Sequence, residues 1–424
     1  MEKAYETYKD SGVEWIGEIP ESWDVTSIKN LLEIPITDGP HTTPKLYDTG
    51  IPFISAEAIR DNKIDFNRKR GYISEKDYEL FSKKYVPKRH DIYMVKSGAT
   101  TGNIGVVETD EKFTIWSPLA VFRTNNEKAF HRYLIYFLQS NIFKYQVELN
   151  WSYGTQQNIG MGVLSNLKIT YPNTKVQTQI AAYLDYHTQL IDNLISKKET
   201  LIQKLQEQRQ AIINEAVTKG LNKNVALKDS GIEWLGDIPE HWTIAKFKYF
   251  AKIRNGKDQK SVLVDDGKYP ILGTGGEFGR SSEFLYDKPS VLLGRKGTID
   301  KPQFIEEPFW TVDTLFYTEI ESDVVPKFLF YLSTLIPFSL LQESSAVPSM
   351  TQDKLHNVFL TKPSYDEQLS IVAFLESELN KLNVLNQLNL KQIQKLKAYR
   401  QSLISEAVTG KIDVRDWQQP KNKS

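Results

Sequence analysis

The chain has 424 residues, 40% hydrophobic and 25% charged, which suits roughly two to four folded domains and argues against disorder. Its 53 basic and 53 acidic residues cancel, so nucleic-acid binding would need a local basic surface and not bulk charge. The absence of cysteine excludes disulfides, thiolate metal sites and a cysteine nucleophile. The opening MEKAYETYKDSG lacks the apolar core of a signal peptide, and no stretch approaches a bilayer span, so a soluble cytoplasmic protein is expected.

The first distinctive element is DSGVEWIGEIPESW, residues 10–23. Gly17-Glu18-Ile19-Pro20 reads as a tight turn between two aromatic anchors, Trp15 and Trp23, and a packing role is preferred over a ligand role. Short apolar or alternating runs follow at 51–59, 91–98, 103–109 and 113–124, broken by Gly, Pro and Asn as strands are. Helical patterning appears at 131–147. PNTKVQTQIAAYLD (172–185) then leads into a long helix over 177–218 without Pro or Gly, closing on EAVTKG.

The order then repeats. DSGIEWLGDIPEHW (229–242) is identical to the first tryptophan segment at ten of fourteen positions. Strand-like runs at 269–276, 289–297 and 309–320 precede a helical pattern at 326–342. PSYDEQLSIVAFLE (363–376) introduces a second long helix, 368–409, closing on EAVTGK. A repeat of roughly 200 residues is too long for a solenoid unit of about 20–50 and fits a domain plus a connecting element. The two copies share their framing segments, but the first interior is 28 residues longer than the second and differs in sequence. The frames read as scaffold, and the interiors as two α+β readers of two different things.

One heptad position carries Leu184, Ile191, Lys198, Leu205 and Ile212 in the first helix, and Leu375, Leu382, Asn389, Leu396 and Leu403 in the second. A seven-residue apolar repeat this long points to a coiled coil. The polar residues Lys198 and Asn389 fall centrally, which favours an intramolecular antiparallel pair. The alternative is that each helix packs on its own domain with these residues in water. An antiparallel pair would return the N-terminus close to the end of the second helix.

The paired WIGEIPESW and WLGDIPEHW openings are similar to those of specificity (S) subunits of type I restriction–modification systems. So are the interiors SGATTGNIGVV and YPILGTGGEFGRSSEFLYDKPSVLLGRKG, and the helix ends EAVTKG and EAVTGKIDVR. The resemblance covers essentially the whole chain. It implies two target-recognition domains, each reading one half of a split, asymmetric double-stranded DNA site. It also implies two helices that pair as an antiparallel coiled coil, set the spacing, and dock two methyltransferase (M) subunits, with motor-nuclease (R) subunits joining them. The expected division is residues 1–175 and 222–362 for the readers, 176–221 for the first helix, and 363–424 for the second helix and tail. A helix of about 42 residues spans roughly 60 Å, enough to separate half-sites by one duplex turn of about 34 Å.

Under that resemblance, candidate DNA contacts are His41, Thr42, Thr43 and Lys45, the run Arg68, Lys69 and Arg70, and the turn Lys96, Ser97, Thr100 and Thr101. Tyr153, Thr155, Gln156 and Gln157 join them, with Asn255, Lys257, Arg280, Arg295, Lys296 and Thr298 in the second reader. Arg and Lys suit guanine edges and phosphates, while Asn and Gln suit adenine. A turn that occurs in both copies also fits a role in the fold or on phosphates.

Catalytic readings find little support. GTGGEFG (273–279) has no helix opening after it, no phosphate-loop motif is present, and six scattered histidines give no zinc site. The chain is expected to bind no cofactor or metal, with S-adenosylmethionine, ATP and Mg2+ on partner subunits. The competing functions are a single-chain methyltransferase or nuclease, and a duplicated adaptor that binds only proteins.

Overall fold

The computed structural model describes residues 3–152, 157–342 and 348–420. It divides into two compact units: Met1–Lys198 with Lys391–Ser424, and Glu199–Leu390. Among the described residues the α-helices are α1 (Glu75–Ser82), α2 (His131–Gln139), α3 (Asn141–Asn150), α4 (Met161–Asn166), α5 (Thr174–Lys219), α6 (Pro326–Ser333), α7 (Phe338–Leu341), α8 (Gln352–His356) and α9 (Tyr365–Val408). The four segments expected from the sequence kept each long helix whole. The compact units instead share both helices, dividing α5 after Lys198 and α9 after Leu390.

The first unit is built on a six-stranded sheet in the order Thr37–Asp38, Leu119–Phe122, Ile92–Val95, Ile104–Val106, Asn62–Ile64, Ile59–Arg60. Its neighbours are antiparallel except Ile104–Val106 with Asn62–Ile64. The neighbouring strands Leu119–Phe122 and Ile92–Val95 are buried at every residue, which is why they read as unbroken apolar runs. Tyr93, Val95, Ile115, Leu119 and Val121 form part of the core beneath. The second unit has a four-stranded antiparallel sheet, Ala251–Asn255, Leu315–Ile320, Ser290–Gly294, Gln303–Ile305, beside a three-stranded one carrying the hairpin Tyr269–Gly273/Gly276–Ser281.

Two single-helix expectations become helix pairs. The 131–147 pattern breaks at Ser140, whose hydroxyl donates to Phe137 O and accepts from Phe143 N, capping α3. The 326–342 pattern breaks before α7 at Pro337, which has no N–H to continue a helix. The tryptophan segment also differs from the turn expected at 17–20. Gly17 has φ +72° and leads into the strand Glu18–Pro20, which pairs antiparallel with Tyr8–Asp10. Leu227–Asp229 and Asp237–Pro239 repeat this hairpin. Only the second tryptophan of each copy, Trp23 and Trp242, is fully buried.

The long helices run antiparallel within each unit. In the first, Arg400 Nε donates to Asp192 Oδ1 at 2.9 Å and Lys198 Nζ to Gln392 Oε1; in the second, Arg209 Nη1 donates to Asn383 Oδ1 at 3.2 Å. All ten heptad residues face inward: Leu184, Ile191, Leu375, Leu382, Asn389 and Leu403 are buried, and Lys198, Leu205, Ile212 and Leu396 half-buried. Asn389 Nδ2 donates to the Leu385 carbonyl of its own helix at 2.9 Å.

Each reader is pinned to the start of the helix that follows it. The fully buried Gln177 accepts from Phe130 N at 2.9 Å and donates to Pro172 O at 2.8 Å, and Gln368 does the same with Val325 and Pro363. One turn or more along, Asp185 holds Tyr136 and Arg132 of α2, and Glu376 holds Tyr331 and Lys327 of α6. The reader also grips the far end of the other helix. Thr170 Oγ1 donates to Val408 O in the first unit, and Thr361 Oγ1 to Val217 O in the second. In the first unit both ends of the chain meet: Asp413 N donates to Lys3 O at 2.7 Å, and Tyr8 to Gly410 O at 3.2 Å. This is the return of the N-terminus that antiparallel helices require.

Candidate nucleic-acid interface

In each unit a strand, a glycine and a basic turn converge. Thr37–Asp38 leads into Gly39, and Ala251–Asn255 into Gly256. A Cβ on Gly39 would lie 2.0 Å from Ile115 O, and one on Gly256 2.1 Å from Val312 O, so only glycine fits at either place. Asp38 and Asn255 are therefore twin positions.

The basic turns dock the same way. Gly98 N donates to Gln157 O at 3.0 Å and Ile159 N to Lys96 O at 2.9 Å; Gly297 N donates to Pro348 O at 2.9 Å and Met350 N to Arg295 O at 2.9 Å. This duplicated backbone clamp gives both turns a structural role.

The first cluster brings most of its expected residues together. Tyr47 and Tyr72 exchange backbone hydrogen bonds of 2.9 and 3.2 Å, setting the His41–Lys45 segment beside the Arg68–Arg70 run. Residues 41–43 and 45–50 are exposed. The cations are partly engaged. Lys45 lies over the Tyr47 ring, Arg68 pairs with Asp65, Lys69 lies over Tyr72, and Arg70 stacks on Trp116 at 3.9 Å. Such stacked cations are pre-oriented planar or pointed donors for phosphates and base edges.

Lys96 is more lock than reader. Its side chain is 14% exposed, and its Nζ lies 3.3 Å from the fully buried Asp38 carboxylate. Ser97 bridges to Asn158, Thr101 Oγ1 donates to Gly98 O at 2.7 Å, and Thr100 is exposed. Gln157 is exposed, whereas Tyr153, Thr155 and Gln156 lie outside the described residues.

The second cluster is chemically different. Asn255 Oδ1 accepts from Gln352 Nε2 at 3.1 Å. Lys257 and Lys296 are exposed. Arg295 donates to Asp313 O at 3.2 Å, Thr298 is half-buried, and the Gly297 turn lies against Thr274 of the hairpin tip. Arg280 is not brought into this cluster. It sits toward the hairpin base, paired with Glu277 at 2.9 Å.

Sequence reasoning missed Asp38, Lys84 and Gln352. Lys84 follows α1 and ion-pairs Asp38; His41 Nε2 lies 3.2 Å from the same carboxylate. Burial works against the Asp38 charge, but hydrogen bonds and charge from Lys84 and Lys96 hold its carboxyl below the usual range. The repeated Asp-Gly and Asn-Gly dipeptides before each interior were the available signal. The described residues contain no group of three or more His, Cys, Asp or Glu able to hold a metal ion, and no helix long and apolar enough to cross a membrane.

The family model for the type I restriction modification DNA specificity domain matches twice, at residues 20–204 and 239–395. The chain belongs to this family. Each match runs from a reader into the long helix after it, the same unit that the duplication defines. The type I restriction enzyme MjaX specificity subunit of Methanocaldococcus jannaschii is 27% identical over 94% of this chain and 96% of its own length. The MjaIX specificity subunit of that organism is 22% identical over 95% and 96%. The EcoDI specificity subunit of Escherichia coli is 22% identical over 44% of this chain and 42% of its own. Among solved structures, one described under complex assembly and conformational transition of the type I R-M system has a TM-score of 0.72 at 16% identity, covering 93% of this chain and 99% of its own. The HsdS subunit from Thermoanaerobacter tengcongensis has a TM-score of 0.52 at 17% identity, covering 93% and 98%. These likenesses establish the specificity-subunit fold.

Proposed function

We propose that the two units read the two halves of one split, asymmetric DNA sequence, and that the long helices fix the gap between the halves. The observation that carries this reading is the pairing of matched frames with unmatched loop clusters. Gln177 and Gln368, Asp185 and Glu376, and Thr170 and Thr361 make the same bonds in each unit. At the twin loop position, however, the first unit has a charged Asp38–Lys84–Lys96 junction and the second a neutral Asn255–Gln352 pair. Matched frames with different polar faces are what two unlike half-sites require.

The chain supplies recognition and no chemistry of its own. Two methyltransferase subunits dock along the helices and hold S-adenosylmethionine; motor-nuclease subunits hold ATP and Mg2+. The assembly works in the cytoplasm. Methylome sequencing of cells carrying this chain with its methyltransferase subunit tests the reading directly. A split methylated motif is expected, and replacing residues 24–170 with another reader should change one half of it. Alteration of both halves would show that the readers are not independent. Methylation of DNA by the purified chain alone with S-adenosylmethionine would overturn the non-catalytic assignment.

A further inference from the structure

Three basic side chains from three separate segments converge on one carboxylate. His41 follows the strand Thr37–Asp38, Lys84 follows α1, and Lys96 opens the turn after Ile92–Val95. The Asp38 side chain is 0% exposed, Lys96 14%, Lys84 45% and His41 70%. The junction is thus graded from a sealed anion to two basic groups that reach solvent. Lys84 also donates to Gly39 O at 3.2 Å, tying the α1 end to the start of the exposed 41–47 loop.

A single carboxylate cannot neutralise two ammonium groups. The surplus positive charge lies on the exposed side, toward Lys84 and His41. Removing a partner from a buried charge is costly, so the carboxylate holds its neighbours in place as firmly as they hold it. In the second unit the twin residue, Asn255, is exposed, and its side-chain oxygen accepts from the Gln352 amide. The position therefore accepts either side chain without changing the glycine that follows it, and charge at this point is a property of one reader only.

We infer that Asp38 is a positioning residue for the first half-site: it fixes Lys84 and His41 where DNA backbone phosphates pass, and it locks the 41–47 loop to the 96–102 turn. This rests on the DNA-reading function proposed above. Phosphate contacts set register, and register decides which loop side chains meet base edges. Loss of the lock should blur recognition of the first half while the second stays sharp.

The test uses the full chain reconstituted with its methyltransferase subunits, after the methylated motif has been mapped. Equilibrium binding is measured at several salt concentrations on duplexes with both halves intact, the first scrambled, or the second scrambled. Asp38→Asn is expected to reduce discrimination at the first half about tenfold, the scale of one mismatched base pair, with discrimination at the second unchanged. Lys84→Gln should weaken binding to all duplexes and flatten the log–log salt slope by about 0.9. Unchanged discrimination in Asp38→Asn, or equal loss at both halves with an unchanged melting temperature, overturns the inference. Should Asp38→Asn unfold the first unit, Lys84→Gln decides: a flattened salt slope supports the junction's role, and an unchanged one overturns it. If the unaltered complex discriminates neither half, it is the DNA-reading function that fails.

Discussion

The Thr361 hydroxyl donates to the Val217 carbonyl at 2.7 Å, and Thr170 makes the same bond to Val408. Both carbonyls belong to the last turn of a long helix, where no intrahelical partner remains. All four residues are buried, so each bond satisfies an acceptor that water cannot reach. Replacing Thr361 with valine keeps the shape and leaves the Val217 carbonyl unpaired, whereas after Thr170→Val the Val408 carbonyl still accepts from the Tyr133 hydroxyl at 3.2 Å. A loss of about 1–3 kcal/mol is expected for Thr361→Val and a smaller one for Thr170→Val, read from urea denaturation. A loss well under 0.5 kcal/mol would mean that the helix ends are held by packing alone.

The helix-terminal glycines should respond unequally. Gly220 has φ +75° and Gly410 φ +76°, the left-handed form that ends a helix. A Cβ would lie 3.0 Å from the Trp242 ring at Gly220, but 2.4 Å from the Pro20 ring at Gly410. Both alanine variants should lose about 1 kcal/mol from backbone strain, with Gly410→Ala losing more from the clash. Equal melting temperatures for the two variants would contradict this.

Acid should weaken the first unit through His131. Its ring stacks on His90 with centroids 4.2 Å apart. Burial, with the charges of His90 and Arg132, pushes its pKa down to about 4. The unfolded chain therefore takes up this proton before the folded one does. The stabilisation is complete above the ordinary value of about 6.5 and is lost as pH falls from there toward 4. His131→Phe should lower the melting temperature less than the native residue does between pH 7 and 5. Parallel decline in both proteins would assign the acid sensitivity elsewhere.

The spacing role predicts a result for paired insertions. Because α5 and α9 run antiparallel in each unit, a length change in one helix alone breaks register against the other. Adding seven residues to the middle of both, in heptad phase, lengthens the pair by roughly 10 Å. The methylated motif should then keep both half-sequences and gain about three unread base pairs. Changed half-sequences would sink the ruler idea.

Much of the scaffold was legible because its constraints are local and periodic. Leu184, Ile191, Leu375, Leu382 and Leu403 announced the buried helix face by spacing alone, and Gly220 and Gly410 announced the helix ends. The interface was less legible. Lys96 looks like a DNA-facing cation in sequence, yet a carboxylate 58 residues earlier holds it nearly buried. Arg280 is among the candidate DNA contacts of the second reader, but strand register places it toward the base of the hairpin, away from the turn. Ser140 gave no sign of ending α2, because its capping role depends on the bonds it makes once folded. Contacts between residues far apart in sequence leave no periodic trace.

Each unit closes on the end of a helix that the other half of the sequence began. This is the geometry of a domain-swapped dimer, written into one polypeptide by duplication. A half-length chain, one reader with one long helix, would lack the foreign helix end that its threonine and tryptophan hairpin are shaped to grip. It could complete itself only by trading helix ends with a second copy. The outcome would be a true twofold homodimer with two identical loop clusters, for which the matching DNA target is a palindrome.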